Sequence, residues 1–575
     1  MDGPDHRDTD EPPETTASTS GFTYWAPAIV AASSLFLGVL DTSMMNVAVP
    51  SIVQDLDTTV SAMQAAIATY SMVMAALIIP GGALRAAFDT KRLLVGTFAV
   101  YSVGTLVAGL SWNMPVLFVS WSLVEGVAAA LLLPIAYSIV VENYTGSDRA
   151  KAFGAIGGVT AVGVAVGPIL GGLLTTFASW RWGFVGEFLL VVVVVALAIR
   201  YLPSRPTDAA FEFDVGGTVL SVLAVVAIVG GSLLAGYYGW VRPLRPLVVE
   251  GILVQPLGLS PAIWSIALGV ALLAAFAQWE LRQERTGRPS LIPVSALRNR
   301  TFIAGVGTFA SESLFLAGFM FTVPVFLQSA LGYSAFESGL ALLPFSVATL
   351  LVAVGSTGWR EYLAQKRLVQ GGLVVMAVGL VILVDRTGTE LTIAGLVLPM
   401  TIVGVGLGLF TGQIVDLTMS AVAESFSDVS SGVVNSLSQL GYAFGTAVAG
   451  SVLLSQFYGT FVTEVRLAAT GERVTGAERR RLAVRLADAR ETTTQAQQEA
   501  FVSGLPPALR EQLLDVVQTS MVSAQRSVLF VLVVFVLVTL LVSSFLPQSR
   551  GRRERTRETR TALSEQPAAA KRDEP

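Results

Sequence analysis

The 575-residue chain contains no cysteine and a single histidine, His6. The first absence excludes disulfides, thiolate metal sites and a cysteine nucleophile. The second removes a histidine-based metal site and a Ser-His-Asp triad, because His6 lies in a polar N-terminal stretch. Charge is scarce as well: 14% of residues are Asp, Glu, Lys or Arg, against about 25% in an ordinary soluble domain. The formal net charge of −4 is too small to imply a nucleic-acid partner. No G-x-x-x-x-G-K-[ST] loop occurs, which argues against ATP-driven work. No catalytic constellation appears, so neither enzyme chemistry nor a cofactor is expected.

What the chain does have is apolar length. The apolar share is 53%, and it arrives in runs that follow one another for most of the sequence. A helix crossing the hydrocarbon core needs about 20 apolar residues. Fourteen stretches qualify: 26–49, 64–83, 92–110, 115–141, 150–177, 182–202, 213–235, 261–280, 302–327, 337–357, 367–384, 391–415, 432–455 and 525–546. The alternative is twelve or thirteen spans with one run re-entrant. Backbone groups inside lipid must bond within their own segment, so the runs predict helices. They are continuous rather than alternating, unlike barrel strands. The stretch 244–259 carries prolines and charges that argue against a full crossing.

Both ends read as solvated tails, acidic over 1–22 and basic over 550–575. Lys and Arg gather in alternate short loops, in "LRAAFDTKR", "DRAK", "RYLPSR", "LRQERTGRP" and "WREYLAQKR". That bias predicts cytoplasmic N- and C-termini and a multi-pass protein of the plasma membrane. The long, Arg-rich 456–524 loop then falls outside, with amphipathic helices expected around "ERRRLAVRLADA" and "LREQLLDVV".

Two motifs stand out. The fifth span contains "GVAVGPILGG", with Gly163, Gly167, Pro168, Gly171 and Gly172. Glycines four apart let membrane helices approach closely, and Pro168 removes a backbone donor. The stretch resembles the antiporter motif of the major facilitator superfamily. The first span carries "LDTSMMNVAVPSI", Leu40 to Ile52. It is similar to the Asp-x-x-x-x-Asn-x-Ala-x-Pro signature of the drug:H+ antiporter-2 branch, the fourteen-span exporters. "LGYSAFESGLALLP" and "SSGVVNSLSQLGYAFGTAV" agree. The resemblance implies an all-α membrane protein, with a six-helix bundle over 23–205, two extra helices within 206–285 and a second six-helix bundle over 286–549. It also implies a monomer that exchanges a small-molecule substrate for H+ across the lipid bilayer by alternating access. A symporter on the same scaffold and a non-transporting receptor are the rivals.

The sequence departs from that family pattern twice. The loop after the second span reads "GALRAAFDTKR", with Ala86 where the family's aspartate belongs and Asp89 where its second glycine belongs. By resemblance this loop gates the rocking of the halves, and Arg85, Asp89, Lys91 and Arg92 are what remains to do so. In the fourth span Ser122 stands where the family carries an arginine, and Glu125 replaces the glutamine three residues on.

Carboxylates inside a membrane cost on the order of 3 kcal/mol or more and mark functional sites by default. Asp41 falls in the outer half of the first span. Glu125 and Glu312 each sit about ten residues, or ~15 Å, from a span end, near mid-depth. Glu187 and Asp416 fall near span ends and rank below them. A buried carboxylate that gains and loses a proton can hold and release a cationic substrate. Asp41, Glu125 and Glu312 are therefore the expected proton-coupling groups. Asn46, Trp121, Phe309, Phe315 and Phe319 are the expected cavity lining, offering apolar and cation–π contact. Ordinary packing or structural hydrogen bonds are the alternative for each.

Overall fold

The computed structural model describes residues 21–546 apart from 205–212, 250–251, 254–255, 289, 293–298, 420–426, 472–473, 475 and 493–494. The two tails and Asp416's side chain lie outside the described residues. Among the described residues, fourteen helices are long and apolar enough to cross a membrane.

Helices α1 (Gly21–Asp55), α2 (Val60–Ala87), α3 (Thr90–Gly109), α4 (Met114–Asn143), α5 (Gly146–Phe177) and α6 (Arg181–Tyr201) pack on one another as a first bundle. An extra pair follows, α7 (Val215–Tyr238) and α8 (Pro261–Thr286). The second bundle comprises α9 (Arg300–Leu331), α10 (Ala335–Gly355), α11 (Gln365–Arg386), α12 (Ile393–Met419), α13 (Ser427–Thr470) and α16 (Pro507–Val542). Prolines inside α1, α2, α4, α5, α9, α10 and α12 are tolerated because each helix is braced by neighbours.

The extra pair is joined closely. A Cβ at Gly231 would lie 2.8 Å from the Ile266 side chain, and one at Gly269 would lie 2.5 Å from Ile228. Helix α7 rests on α2 and α13, so the pair flanks the seam between the bundles. Among the described residues of its connection, β1 (Val248–Val249) pairs antiparallel with β2 (Ile252–Leu253) and one helical turn follows at Pro256–Gly258, with no third spanning helix. This is why 244–259 could not cross.

The 456–524 region differs from a simple loop. Helix α13 continues to Thr470, and α16 begins at Pro507, well before its apolar part. Between them lie the two short polar helices α14 (Gly476–Thr492) and α15 (Gln495–Ser503). Arg245 in the α7–α8 connection pairs with Asp488 of α14 and lies 3.6 Å from the Tyr237 ring centre.

The antiporter-like glycines decide how α5 is seated. A Cβ added at Gly167 would come within 2.3 Å of the Ser43 Cβ, and one at Gly171 within 2.8 Å of the Met44 carbonyl. Both faces press on α1. Gly172 instead meets the Ala335 carbonyl of α10, at 2.5 Å from an added Cβ, and Gly339 of α10 meets the Pro168 carbonyl at the same 2.5 Å. One motif therefore fixes α5 to its own bundle on one side and to the other bundle on the next. Further cross-bundle bonds run from Gln64 to the Ala447 carbonyl at 2.8 Å, from Gln328 to the Val47 carbonyl at 2.9 Å, and from Asn46 to the Tyr442 hydroxyl at 3.0 Å.

Candidate functional site: a buried acid cluster

Helix α4 is not regular. From Phe118 to Glu125 it widens into a π-helical stretch before returning to α geometry at Gly126. Such stretches are rare and recur at functional sites. The bulge is accommodated by Gly104 of α3, where an added Cβ would lie 2.9 Å from the Glu125 Cβ and 2.9 Å from the Ser120 carbonyl. A side chain at 104 would push the bulge, and Glu125 with it, out of place.

At the end of that bulge three carboxylates converge. Asp41 of α1, Glu125 of α4 and Glu187 of α6 each offer an oxygen, and these lie within 4.8 Å of one another. Asp41 and Glu125 are fully buried and Glu187 is 2% exposed. The Trp121 indole donates to both Asp41 oxygens, at 3.0 and 2.8 Å. The Thr105 hydroxyl lies 3.0 Å from Glu125 Oε2 and 2.9 Å from the Tyr101 carbonyl, two acceptors for its one proton. Tyr70 of α2 stacks on Trp121 with ring centres 5.3 Å apart. The Tyr70 hydroxyl sits within interaction range of Asp41 and the Tyr101 hydroxyl within range of Glu125, yet neither reaches ordinary hydrogen-bond geometry. Glu125 Oε1 and both Glu187 oxygens also lack a hydrogen-bond donor. The groups described around the acids are Trp121, Thr105, Tyr70 and Tyr101, without a lysine or arginine among them.

Glu312 is separate. It lies buried on α9 beside Ser313, whose hydroxyl is 3.4 Å from Glu312 Oε2 and 2.6 Å from the Ser438 hydroxyl of α13. The expected aromatic lining divides as well. Phe315 and Phe319 are fully buried and stacked, 5.5 Å between centres, and Phe319 meets Phe345 of α10 at 5.2 Å. Those two rings fill the second bundle's core. Trp121 is equally enclosed and donates to Asp41. Phe309 is half-buried against two apolar clusters. Asn46 donates to Tyr442 and to the Thr42 carbonyl at 2.8 Å.

The altered loop keeps an internal network. Arg85 pairs with Glu142 at the end of α4, and the Thr90 hydroxyl donates to the same carboxylate at 2.7 Å. Asp89 caps α3 by accepting from the Arg92 amide at 2.9 Å. Lys91 reaches the Ile199 and Leu202 carbonyls at the end of α6, at 2.7 and 3.0 Å, where a cation suits the helix dipole. These contacts tie the loop to the first bundle. Arg92 itself is exposed.

Two six-helix bundles facing each other, with buried acids in the membrane-spanning part, define a multi-pass membrane transporter. The chain belongs to the Major Facilitator Superfamily, whose sequence pattern matches residues 31–446. It is 28% identical over 500 residues to the "Probable actinorhodin transporter" of Streptomyces coelicolor, covering 85% of this chain and 80% of that protein. It is 29% identical over 437 residues to the "Puromycin resistance protein pur8" of Streptomyces alboniger, covering 75% of this chain and 81% of that one. A solved bacterial homologue of the human lysosomal transporter Spinster, inward-facing and unoccupied, shares the fold with a TM-score of 0.56 at 14% identity. That alignment covers 92% of this chain and 98% of the other.

Proposed function

We propose that the chain exports lipophilic, often cationic, small molecules by exchanging them for H+ across the plasma membrane. The observation that carries this reading is the buried cluster of Asp41, Glu125 and Glu187 with no basic partner among its described neighbours. Three fixed negative charges in such a place repel one another and lose hydration. Some of them must bind protons or be balanced by a cation, and that requirement makes the cluster a natural point of exchange. The family resemblance leads one to expect a positive charge in the fourth span, but Ser122 holds the arginine's position. The relatives named as a probable actinorhodin transporter and a puromycin resistance protein support transport of an organic small molecule.

In this reading Asp41 and Glu125 are the coupling pair, Glu187 completes their site, and Glu312 is a second titratable group in the other bundle. Both termini face the cytoplasm and the working unit is a monomer. The halves rock about the seam formed by Gly167, Pro168, Gly171 and Gly172, and the Arg85–Glu142 network holds the first bundle rigid as they move.

Everted membrane vesicles with an acid interior test the proposal, using ethidium as probe. Addition of the dye should collapse the proton gradient in vesicles carrying the protein, and Glu125→Gln should abolish the response while the protein still inserts. A gradient indifferent to ethidium and to a broad panel of lipophilic cations would remove the antiport reading. Undiminished transport by Glu125→Gln would remove Glu125 from it.

A further inference from the structure

Protonation is one way to satisfy three buried carboxylates, and a metal cation is another. We infer that the Asp41–Glu125–Glu187 cluster is a binding site for a hard, readily dehydrated metal cation, sodium or calcium. The inference deepens the coupling role proposed above.

The donor set is entirely oxygen. Carboxylates and phenolic hydroxyls suit hard cations. The spacing fits too. A calcium-sized ion holds oxygens at about 2.4 Å, so ligands on opposite sides of it lie ~5 Å apart. The three carboxylate oxygens span no more than 4.8 Å. They come from three different helices, α1, α4 and α6, and converge within that distance.

A second observation, independent of the acids, points the same way. The Tyr70 and Tyr101 hydroxyls, from α2 and α3, are fully buried, lie within reach of Asp41 and Glu125 respectively, and make no hydrogen bond of ordinary geometry. Buried polar atoms without partners are uncommon in folded proteins. Here two hydroxyls, both Glu187 oxygens and Glu125 Oε1 are left so at one point. The oxygens that do have donors are accounted for: Asp41 by Trp121 and Glu125 Oε2 by Thr105. The oxygens left without a donor belong to residues of this one cluster, where a bound cation would satisfy several of them together. Magnesium suits the site less well, because it gives up its waters reluctantly and the surrounding side chains are fully buried.

The test is a binding measurement on the purified full chain in lipid nanodiscs, by titration with sodium chloride and, separately, calcium chloride at constant ionic strength with choline as the balancing cation. One saturable site for one of the two ions is expected. The ion that binds identifies which of the two the site takes. Glu187→Gln should weaken binding at least tenfold and Tyr70→Phe by a smaller factor, in proteins that elute as single species. Glu390→Gln, an exposed carboxylate elsewhere, should bind as the parent does. Lowering the pH should weaken binding, since Asp41, Glu125, Glu187, Tyr70 and Tyr101 are the titratable groups facing the centre. Absence of saturable binding by either ion, or equal affinity in Glu187→Gln, overturns the inference. Should Glu187→Gln fail to fold, Tyr70→Phe and Thr105→Val decide by the same criterion. No transport enters the readout, so failure here leaves the exporter reading standing, and failure of export leaves this result standing.

Discussion

Each bundle buries an acid on its first helix, Asp41 on α1 and Glu312 on α9, but the two acids have been given different company. Asp41 accepts the one N–H of an indole, shared between its two oxygens, and has two further carboxylates beside it. Glu312 has one serine hydroxyl at 3.4 Å and a second serine beyond it. A lone buried carboxyl can stay neutral and donate its proton to a neighbour, and nothing else need change. Three carboxyls packed together cannot be so passive, because each ionisation alters the cost of the next. The difference teaches that acids on the first helix of each half need not have equivalent roles: in the function proposed above, the first bundle would hold the exchange point and Glu312 would be accessory.

The sharpest way to break that comparison is to neutralise each acid in turn. Asp41→Asn should lower the rate of gradient-coupled ethidium transport by about 100-fold or more, equivalent to ~2.7 kcal/mol of lost stabilisation. Glu312→Gln should cost less than about 10-fold in the same vesicles. Equal losses from the two variants would show that the halves share the work evenly.

How much of this can be read beforehand follows from what each signal measures. Fourteen spans are legible because length and hydropathy are properties of a segment taken alone. The motif glycines are legible as a close-packing signal, although which neighbours they meet is not. The assembly of the cluster is legible only in part. Asp41 and Glu125 stand out by depth, but Glu187 sits near the start of α6 and ranks below them on that ground. Depth along a helix does not state which way a residue faces, and Glu187 turns inward to the same point. The π-helical stretch is equally hidden, since it depends on a glycine from another helix, Gly104, coming close enough to receive it. On α9 the stripe of Phe309, Glu312, Phe315 and Phe319 is correctly periodic, yet periodicity alone leaves open whether the stripe meets a cavity or Phe345.

A second test sharpens the comparison from inside the first bundle. Trp121→Phe keeps the stack on Tyr70 but removes the donor to both Asp41 oxygens. Loss of a hydrogen bond to a buried charged group costs about 1–3 kcal/mol, so the variant should melt at a lower temperature. It should also transport roughly 10-fold more slowly, matching that energy on the 1.4 kcal/mol-per-decade scale. On the other side Ser438→Ala, which removes the outer serine of the Glu312 pair, should change transport by about two-fold or less. A large effect of Ser438→Ala beside a small one of Trp121→Phe would reverse the assignment of roles.

The smallest expected effect on transport is also the most discriminating for the aromatic residues of α9. Phe319 is fully enclosed between Phe315 and Phe345. If its place is the core, Phe319→Leu removes ring contacts without touching the translocation path. Its cost should then appear as stability, about 1–2 kcal/mol read as a lower melting temperature in detergent, since volume-reducing swaps between apolar core residues fall in that range. Transport per correctly inserted molecule should stay within about two-fold of the parent across several lipophilic cations. A ring that instead met substrate through cation–π contact would give the opposite pattern: an unchanged melting temperature and a loss of affinity that follows the charge of the substrate. The two readouts move independently, so the pair of measurements separates packing from recognition at this position even when each effect is modest.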